Sequence, residues 1–311
     1  MKLVYIANLD VPSTKASGYQ ISKMCEEFGL SGIDVELWIP DRTGGVYKDL
    51  FDFYQLERSF TVKRIKSFNF FKFYKYIKKI SFWLQTVVFL FTLLFIKVDK
   101  NTIIYSRSPE IIWLFNLKKY KTVFEIHRLP ETKRRLFTFF VKKTNHIITV
   151  TEGLKNLYLT KIFSDQKVLV SPDGVDMDIF DIDLSKERAR DILGLLSHKK
   201  IIGYFGRFRT MGMGKGIEDI LSALKNLDDN IMFVCVGGDS AGVAYYKEKV
   251  RDAGLSDRVV LLESVSRNKL AQYQKACDAL LMPFPNTKHY AYYMSPLKMF
   301  EYISYPFFCY I

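Results

Sequence analysis

Two stretches of this 311-residue chain carry residue types suited to holding an anion. The first is GYFGRFRTMGMGKGIEDIL, residues 203–221. An apolar, β-rich run ends at Gly206–Arg207, a glycine-rich loop follows, and Lys215–Gly216 opens a helical pattern. Glycine lets the backbone approach a ligand, and a helix start offers unpaired N–H groups. Arg207 and Lys215 add two positive charges. That is the equipment for a diphosphate. The spacing departs from the GxxxxGK[ST] phosphate loop, since no Ser or Thr follows Lys215. Alone, the stretch fits a flexible loop with surface cations better than a phosphate site.

The second stretch, MSPLKMFEY at 294–302, shifts that balance. Ser295 is a suitable N-cap and Pro296 suits the first helical position. The amides near Leu297 and Lys298 then make a second anion site. Glu301, about one and a half turns into this helix, could accept hydrogen bonds from sugar hydroxyls. Its other reading is an exposed helical carboxylate.

The elements that position these residues alternate regularly. KLVYIAN, DVELWIP, TIIYSRSP, TVFEIHRLP, HIITVT and VLVSPDGVD read as strands, with helical patterns after most of them. No strand is read between residues 41 and 101. After an Asp-rich linker at 176–189 the alternation restarts with KIIGYFGRF, IMFVCVGGD, RVVLLES and ALLMPFP as strands. The expectation is α/β: two Rossmann-like domains, 1–180 and 190–311, facing across a cleft that holds the active site.

Composition is that of an ordinary globular protein, with 49% hydrophobic and 25% charged residues, so long disorder is not expected. The net charge of +13 is one-sided. Residues 1–176 hold 28 Lys/Arg against 17 Asp/Glu, and the remainder holds 18 against 16. A positive first half attracts anionic lipid, nucleic acid or phosphorylated substrates, or simply confers solubility. The cations are dispersed over several helices and no nucleic-acid motif is present, so no nucleic-acid partner is expected. Cys25, Cys235, Cys277 and Cys309 form no CxxC pair and read as free thiols of a reducing compartment, and no signal peptide is read at the N-terminus. ISFWLQTVVFLFTLLFI, residues 80–96, is apolar but short for a bilayer span, and crossing would separate strands of one sheet; it is read as a buried helix. The preceding Lys72, Lys75, Lys78 and Lys79, interleaved with Phe and Tyr, suit a helix lying on a bilayer and a solvated helix face equally.

The ordered set of motifs resembles the GT-B glycosyltransferases, and more closely glycosyltransferase family 4, retaining enzymes with nucleotide-sugar donors. The strand–GRF…KG–helix segment and the SPLKMFEY helix carry the resemblance. VSPDGVDMDIF at 170–180 is similar to the family's NGVD…F junction, TVFEIHRLP to its strand-end His motif, and CDALLMPF to its aDvlvlP strand. HIITVTEGLKNLYL is similar to the strand and helix that follow the His motif. The resemblance implies that Arg207 and Lys215 neutralise the donor diphosphate, beside Gly206, Ser295, Leu297 and Lys298. It implies that Glu301 holds the nucleotide ribose, that His127 contacts the transferred sugar, and that Gly18 lets phosphate or acceptor approach. It implies no metal and no cofactor, fixed cations and helix-end amides stabilising the leaving group instead. The DMD and DID triplets at 176–178 and 181–183 are read as capping and solvated acids.

The function so implied is sugar transfer to a polysaccharide or lipid-linked acceptor in surface glycan synthesis, in the cytoplasm and peripherally on the inner membrane face. Three departures from the family pattern stand out. Tyr293 replaces the first acid of the E-x7-E motif, the Arg207-to-Lys215 loop is long, and SYPFFCYI ends the chain where the pattern continues. A truncated second domain is therefore expected. The alternative function is an inactive glycosyltransferase-like protein that binds nucleotide sugar or a partner.

Overall fold

The structure, a computed structural model, describes residues 1–311 apart from 14, 43–47, 71–73, 131, 158, 165–166, 211–212, 285–286, 288–291 and 306–311. Packing divides it between Ser171 and Pro172 into two compact units.

The first unit is a seven-stranded parallel sheet. In chain order its elements are β1 (Lys2–Ile6), α1 (Ala16–Leu30), β2 (Asp34–Asp41), α2 (Leu50–Tyr54), β3 (Thr61–Lys66), α3 (Tyr74–Phe95), β4 (Ile103–Ser106), α4 (Pro109–Leu117), β5 (Lys121–Ile126), α5 (Arg134–Val141), β6 (His146–Thr149), α6 (Glu152–Leu157) and β7 (Val168–Val170). The strand order is β3-β2-β1-β4-β5-β6-β7, so the order reverses between β1 and β4. Strand alternation splits the core in two. Leu3, Tyr5, Val35, Leu37 and Tyr105 pack against Ile21 and Cys25 of α1. Val4, Ile6, Trp38 and Ile104 pack on the other face against Phe89 and Leu93 of α3 and Ile111 and Phe115 of α4.

Two sequence expectations change here. β3 was not expected; TVKRIK is largely polar because it pairs on one side only, as a charged edge strand. The segment at 80–96 is not wholly buried. Ser81, Gln85, Thr86, Phe89 and Leu93 are buried, the last two against the sheet, while Ile80, Trp83, Leu84, Val87, Phe91, Leu94 and Phe95 are exposed. Among the described residues no helix is long and apolar enough to cross a membrane. The lysine stripe at 72–79 lies outside the described side chains.

The second unit holds α7 (Met177–Phe180), α8 (Lys186–Leu193), β8 (Lys200–Phe205), β9 (Arg209–Thr210), β10 (Met213–Gly214), α9 (Ile217–Leu224), β11 (Ile231–Gly238), α10 (Ser240–Asp252), β12 (Val259–Glu263), α11 (Arg267–Lys275), β13 (Ala279–Leu280) and α12 (Leu297–Ile303). Four parallel strands run β12-β11-β8-β13. The expected linker at 176–189 is not a bare connection. It forms α7 and starts α8, and Phe180 is fully buried against Ile201, Phe205 and Tyr302. The long Arg207-to-Lys215 loop folds partly as an antiparallel pair, with Thr210 opposite Met213 and Arg209 opposite Gly214.

Asp278 ties this unit together. Its carboxylate receives Arg190 at 2.6 Å, Lys186 at 2.7 Å and the Ile201 N–H at 2.7 Å. Arg190 is itself buried and gives its remaining donors to the Ala276, Ser197 and Lys199 carbonyls. Cys25 and Cys235 are buried free thiols and Cys277 is half-buried; Cys309 lies outside the described residues.

Candidate active site

The carboxyl ends of parallel strands are where such sheets bind ligands, and both units carry polar clusters there. In the second unit β8 is followed directly by Gly206, whose φ is +135°. That backbone geometry favours glycine. Space demands it as well: a Cβ on Gly206 would lie 3.3 Å from Lys298 Nζ, and one on Gly237, at the end of β11, would lie 2.6 Å from the Gly206 carbonyl oxygen. The two strand ends approach so closely because Gly237 lacks a side chain, and the bare Gly206 leaves room for the end of Lys298. Gly237 was not singled out in the sequence, although the Gly237–Gly238 pair closing a strand was a usable signal.

Lys298 fills the space this arrangement leaves. Its ammonium stands 3.9 Å from the Tyr204 ring centroid and 5.3 Å from that of Phe284, and Lys215 lies 5.7 Å from the same Phe284 ring. Lys215 and Lys298 are half-buried and Arg207 is exposed. Burial, with the like charge of Lys215 beside it, pushes the Lys298 ammonium down to about 7. Glu301 and Cys235 act in the opposite sense and do not compensate. The structure thus gathers Gly206, Lys215 and Lys298 around one aromatic-walled point, with Arg207 following Gly206 directly.

α12 supplies Lys298 and Glu301 from one short helix, anchored by Tyr302. The Tyr302 hydroxyl accepts from the Phe205 N–H at 3.1 Å and lies 3.4 Å from the Leu281 carbonyl. Glu301 is not an exposed carboxylate. It is 8% exposed, its Oε2 accepts from Gln274 Nε2 at 3.1 Å, and burial pushes its carboxyl up despite nearby Arg267. Ser295 does not cap α12 either. The helix starts at Leu297 with Pro296 in the capping position, and Ser295 Oγ accepts the Asp173 N–H at 2.9 Å. Proline at that position removes one donor, and the serine hydroxyl binds the 170–176 loop to the α12 approach instead.

In the first unit His127 follows β5 directly. Its Nε2 lies 2.5 Å from Glu125 Oε1, which also receives Arg107 at 2.8 Å. The other Glu125 oxygen receives the Tyr105 hydroxyl at 2.9 Å and the Tyr5 hydroxyl at 3.5 Å. Burial alone would push the Glu125 carboxyl up. The bonds from His127 and Arg107 and their charges outweigh it and hold the group down at about 2. An ionised Glu125 fixes Nε2 of His127 as the protonated nitrogen and leaves Nδ1 for another partner. Arg107, Glu125, His127 and Arg128 border a cavity of about 590 Å³ whose apolar wall includes Phe124, Leu129 and Phe137. Sequence reasoning picked His127 and missed Arg107 and Glu125. The EIH spacing was visible, because alternate residues of a strand share a face, but Arg107 comes from another strand.

Gly18 belongs to the first turn of α1, not to the loop before it. A Cβ there would lie 2.5 Å from the Tyr54 hydroxyl, which itself accepts the Ser13 N–H at 2.8 Å. Packing therefore accounts for this glycine. Among the described residues no three His, Cys, Asp or Glu side chains converge as a metal site would require.

Comparison with known proteins bears on the fold and on the second unit. Residues 185–288 match the family described as glycosyl transferases group 1. A D-inositol 3-phosphate glycosyltransferase of Xylanimonas cellulosilytica is 28% identical over 143 residues, 43% of this chain and 33% of that protein. One from Mycolicibacterium smegmatis is 31% identical over 113 residues, 35% of this chain and 25% of that protein. The chain thus matches a third or less of the length of these relatives. Among solved structures, sucrose-phosphate synthase from Thermosynechococcus elongatus superposes with a TM-score of 0.67 at 14% identity, covering 92% of this chain and 77% of that one. HepE of Anabaena, in complex with UDP and glucose, gives 0.61 at 16% identity, covering 91% and 74%. At such identities the likeness speaks for the fold alone.

Proposed function

We propose that this chain, whose residues 185–288 match the group 1 glycosyl transferases and whose fold is that of GT-B enzymes, is itself a glycosyltransferase that moves a sugar from a nucleoside-diphosphate sugar to a glycan or lipid-linked acceptor. The observation that carries the reading is the Lys298 ammonium. It lies over Tyr204 beside Lys215, and burial together with that like charge pushes it down to about 7. A diphosphate placed at Gly206 would offset both by its negative charge. When the bond from sugar to diphosphate breaks, negative charge grows on phosphate and positive charge on the sugar ring. Lys298, Lys215 and Arg207 stabilise the first, without reorganisation, in a partly dry site.

Glu301, steadied by Gln274, is the acceptor proposed for ribose hydroxyls. His127, held by Glu125, is the group proposed to meet the transferred sugar or the acceptor hydroxyl through Nδ1, the cavity beside it giving room for a ring. The chemistry so described uses no metal. Surface glycan synthesis on the inner face of the cytoplasmic membrane is the proposed setting, in keeping with the basic first half of the chain.

Thermal unfolding of the protein with UDP, GDP and ADP in turn tests the donor site. A ligand that binds only the folded state raises the midpoint once its concentration exceeds the dissociation constant. UDP comes first, since the HepE structure holds UDP and glucose. A selective rise supports the site and identifies the donor class; no rise with any of the three overturns it. Release of labelled sugar from the matching donor then separates an active enzyme from one that only binds.

A further inference from the structure

We propose that the outer face of α3, with the adjoining face of α5, is a docking surface for an anionic lipid bilayer. It deepens the membrane setting given above and rests on that reading for its biological purpose, though not for its geometry.

The surface is defined by what α3 leaves uncovered. Ile80, Trp83, Leu84, Val87, Phe91, Leu94 and Phe95 recur at helical spacing on one side, with Trp83 51% and Phe91 62% exposed. From Ile80 to Phe95 the stripe runs about 22 Å at the usual rise per residue. Isolated exposed apolar residues are ordinary, but a continuous stripe of this size marks an interaction face. The opposite side of α3 is committed to the sheet through Phe89 and Leu93, so the outer residues are surplus to the core.

α5 extends the stripe. Leu136 and Phe139 are exposed on it, and the Phe139 ring lies tilted 6.3 Å from that of Trp113 of α4. Cations sit directly on these aromatics. Lys133 Nζ lies 5.0 Å from the Trp83 ring and Lys142 Nζ 5.4 Å from the Phe139 ring. Arg134, Arg135 and Lys143 are exposed beside them. No Asp or Glu occurs between Glu57 and Asp99, or between Glu131 and Glu152. The face is thus apolar and aromatic at its centre and cationic at its edge.

That charge pattern selects the occupant. A second copy of the chain would bring the same cationic edge against itself. A bilayer with anionic headgroups receives the cations at the headgroup level and the Trp, Phe and Leu side chains below it, as amphipathic interfacial helices do. The geometry calls for lying on the membrane, since no described helix is fit to cross it.

The test is flotation with phosphatidylcholine vesicles, with and without phosphatidylglycerol, alongside Trp83 fluorescence with a quencher in the acyl chains. The protein is expected to float with the anionic vesicles, to be released by high salt, and to be quenched through Trp83, the quenching being lost in Trp83→Phe. Val87→Ser with Phe91→Ser should lower the bound fraction about tenfold or more, and Arg135→Gln with Lys142→Gln several-fold. These positions are solvent-exposed, so far-UV circular dichroism should be unchanged. Failure of the folded protein to float, or equal binding by the Val87/Phe91 variant, overturns the proposal. So does a concentration-dependent dimer that shields Trp83 in the absence of lipid. Nucleotide binding is read separately: vesicle binding without any nucleotide shift would overturn the transferase reading alone, and the converse would overturn only this surface.

Discussion

Glu125 Oε1 lies 2.5 Å from His127 Nε2 and 2.8 Å from a guanidinium nitrogen of Arg107, so one buried oxygen orients a histidine and neutralises an arginine at once. Both partners line the same cavity, His127 from the end of β5 and Arg107 from the end of β4. Few arrangements fix a histidine tautomer more firmly than a carboxylate that burial prevents from moving.

Glu125 therefore has a pH signature. Its folded value of about 2 lies below the ordinary 4.5. The stability it contributes is fully present above pH 4.5 and is lost as the pH falls toward 2. The shift corresponds to roughly 3 kcal/mol at most. Urea titrations across that window should show a steep acid loss in the parent protein. Glu125→Gln should be less stable at neutral pH and should lack most of the slope. In the same variant the ¹⁵N signals of His127 should lose the single-tautomer pattern; an unchanged pattern would show that another group orients the ring.

Lys298 predicts a proton uptake. Its ammonium titrates near 7 in the free protein, and a bound diphosphate favours the charged form. UDP binding should then draw a proton from solution around neutral pH and weaken as the pH rises from 6 toward 9, on the order of tenfold. Calorimetry in buffers of different ionisation enthalpy measures the uptake directly. Lys298→Met should abolish it. The sign for folding is opposite to that of Glu125: the unfolded lysine keeps its proton to about 10.5, so Lys298 opposes folding most below pH 7 and progressively less above it. Lys298→Met should accordingly gain stability on the acid side while losing affinity for the nucleotide.

Asp278 predicts a structural loss with no site contact. Asp278→Ala leaves buried Arg190 without its carboxylate and removes the acceptor of the Ile201 N–H. A cost of about 3 to 5 kcal/mol is expected, since breaking a buried pair strands the surviving charge. Denaturant unfolding of the second unit should show it. A loss below about 1 kcal/mol would mean that the Ala276, Ser197 and Lys199 carbonyls around Arg190 suffice.

The sequence by itself determined the alternation of strands and helices, because side-chain periods of two and of about 3.6 are local properties. It determined the glycine turn after β8 and the cationic character of the first half, and it singled out Lys215 and Lys298 from their helix starts, whereas His127 was singled out only through the family resemblance. It did not reveal β3, whose polar residues look like a loop until a neighbouring strand pairs with them. It did not separate the two sides of α3, because a helix apolar all round reads as buried whether or not anything covers it. The partners of Glu125 were decided only in three dimensions. Tyr5, Tyr105, Arg107 and Glu125 lie on or directly after β1, β4 and β5, up to 120 residues apart, and parallel register alone brings their side chains to one place. The same holds for Lys298 and Tyr204. A lysine on a late helix loses its proton easily only because folding sets it on an aromatic ring beside another lysine, where part of its hydration is lost.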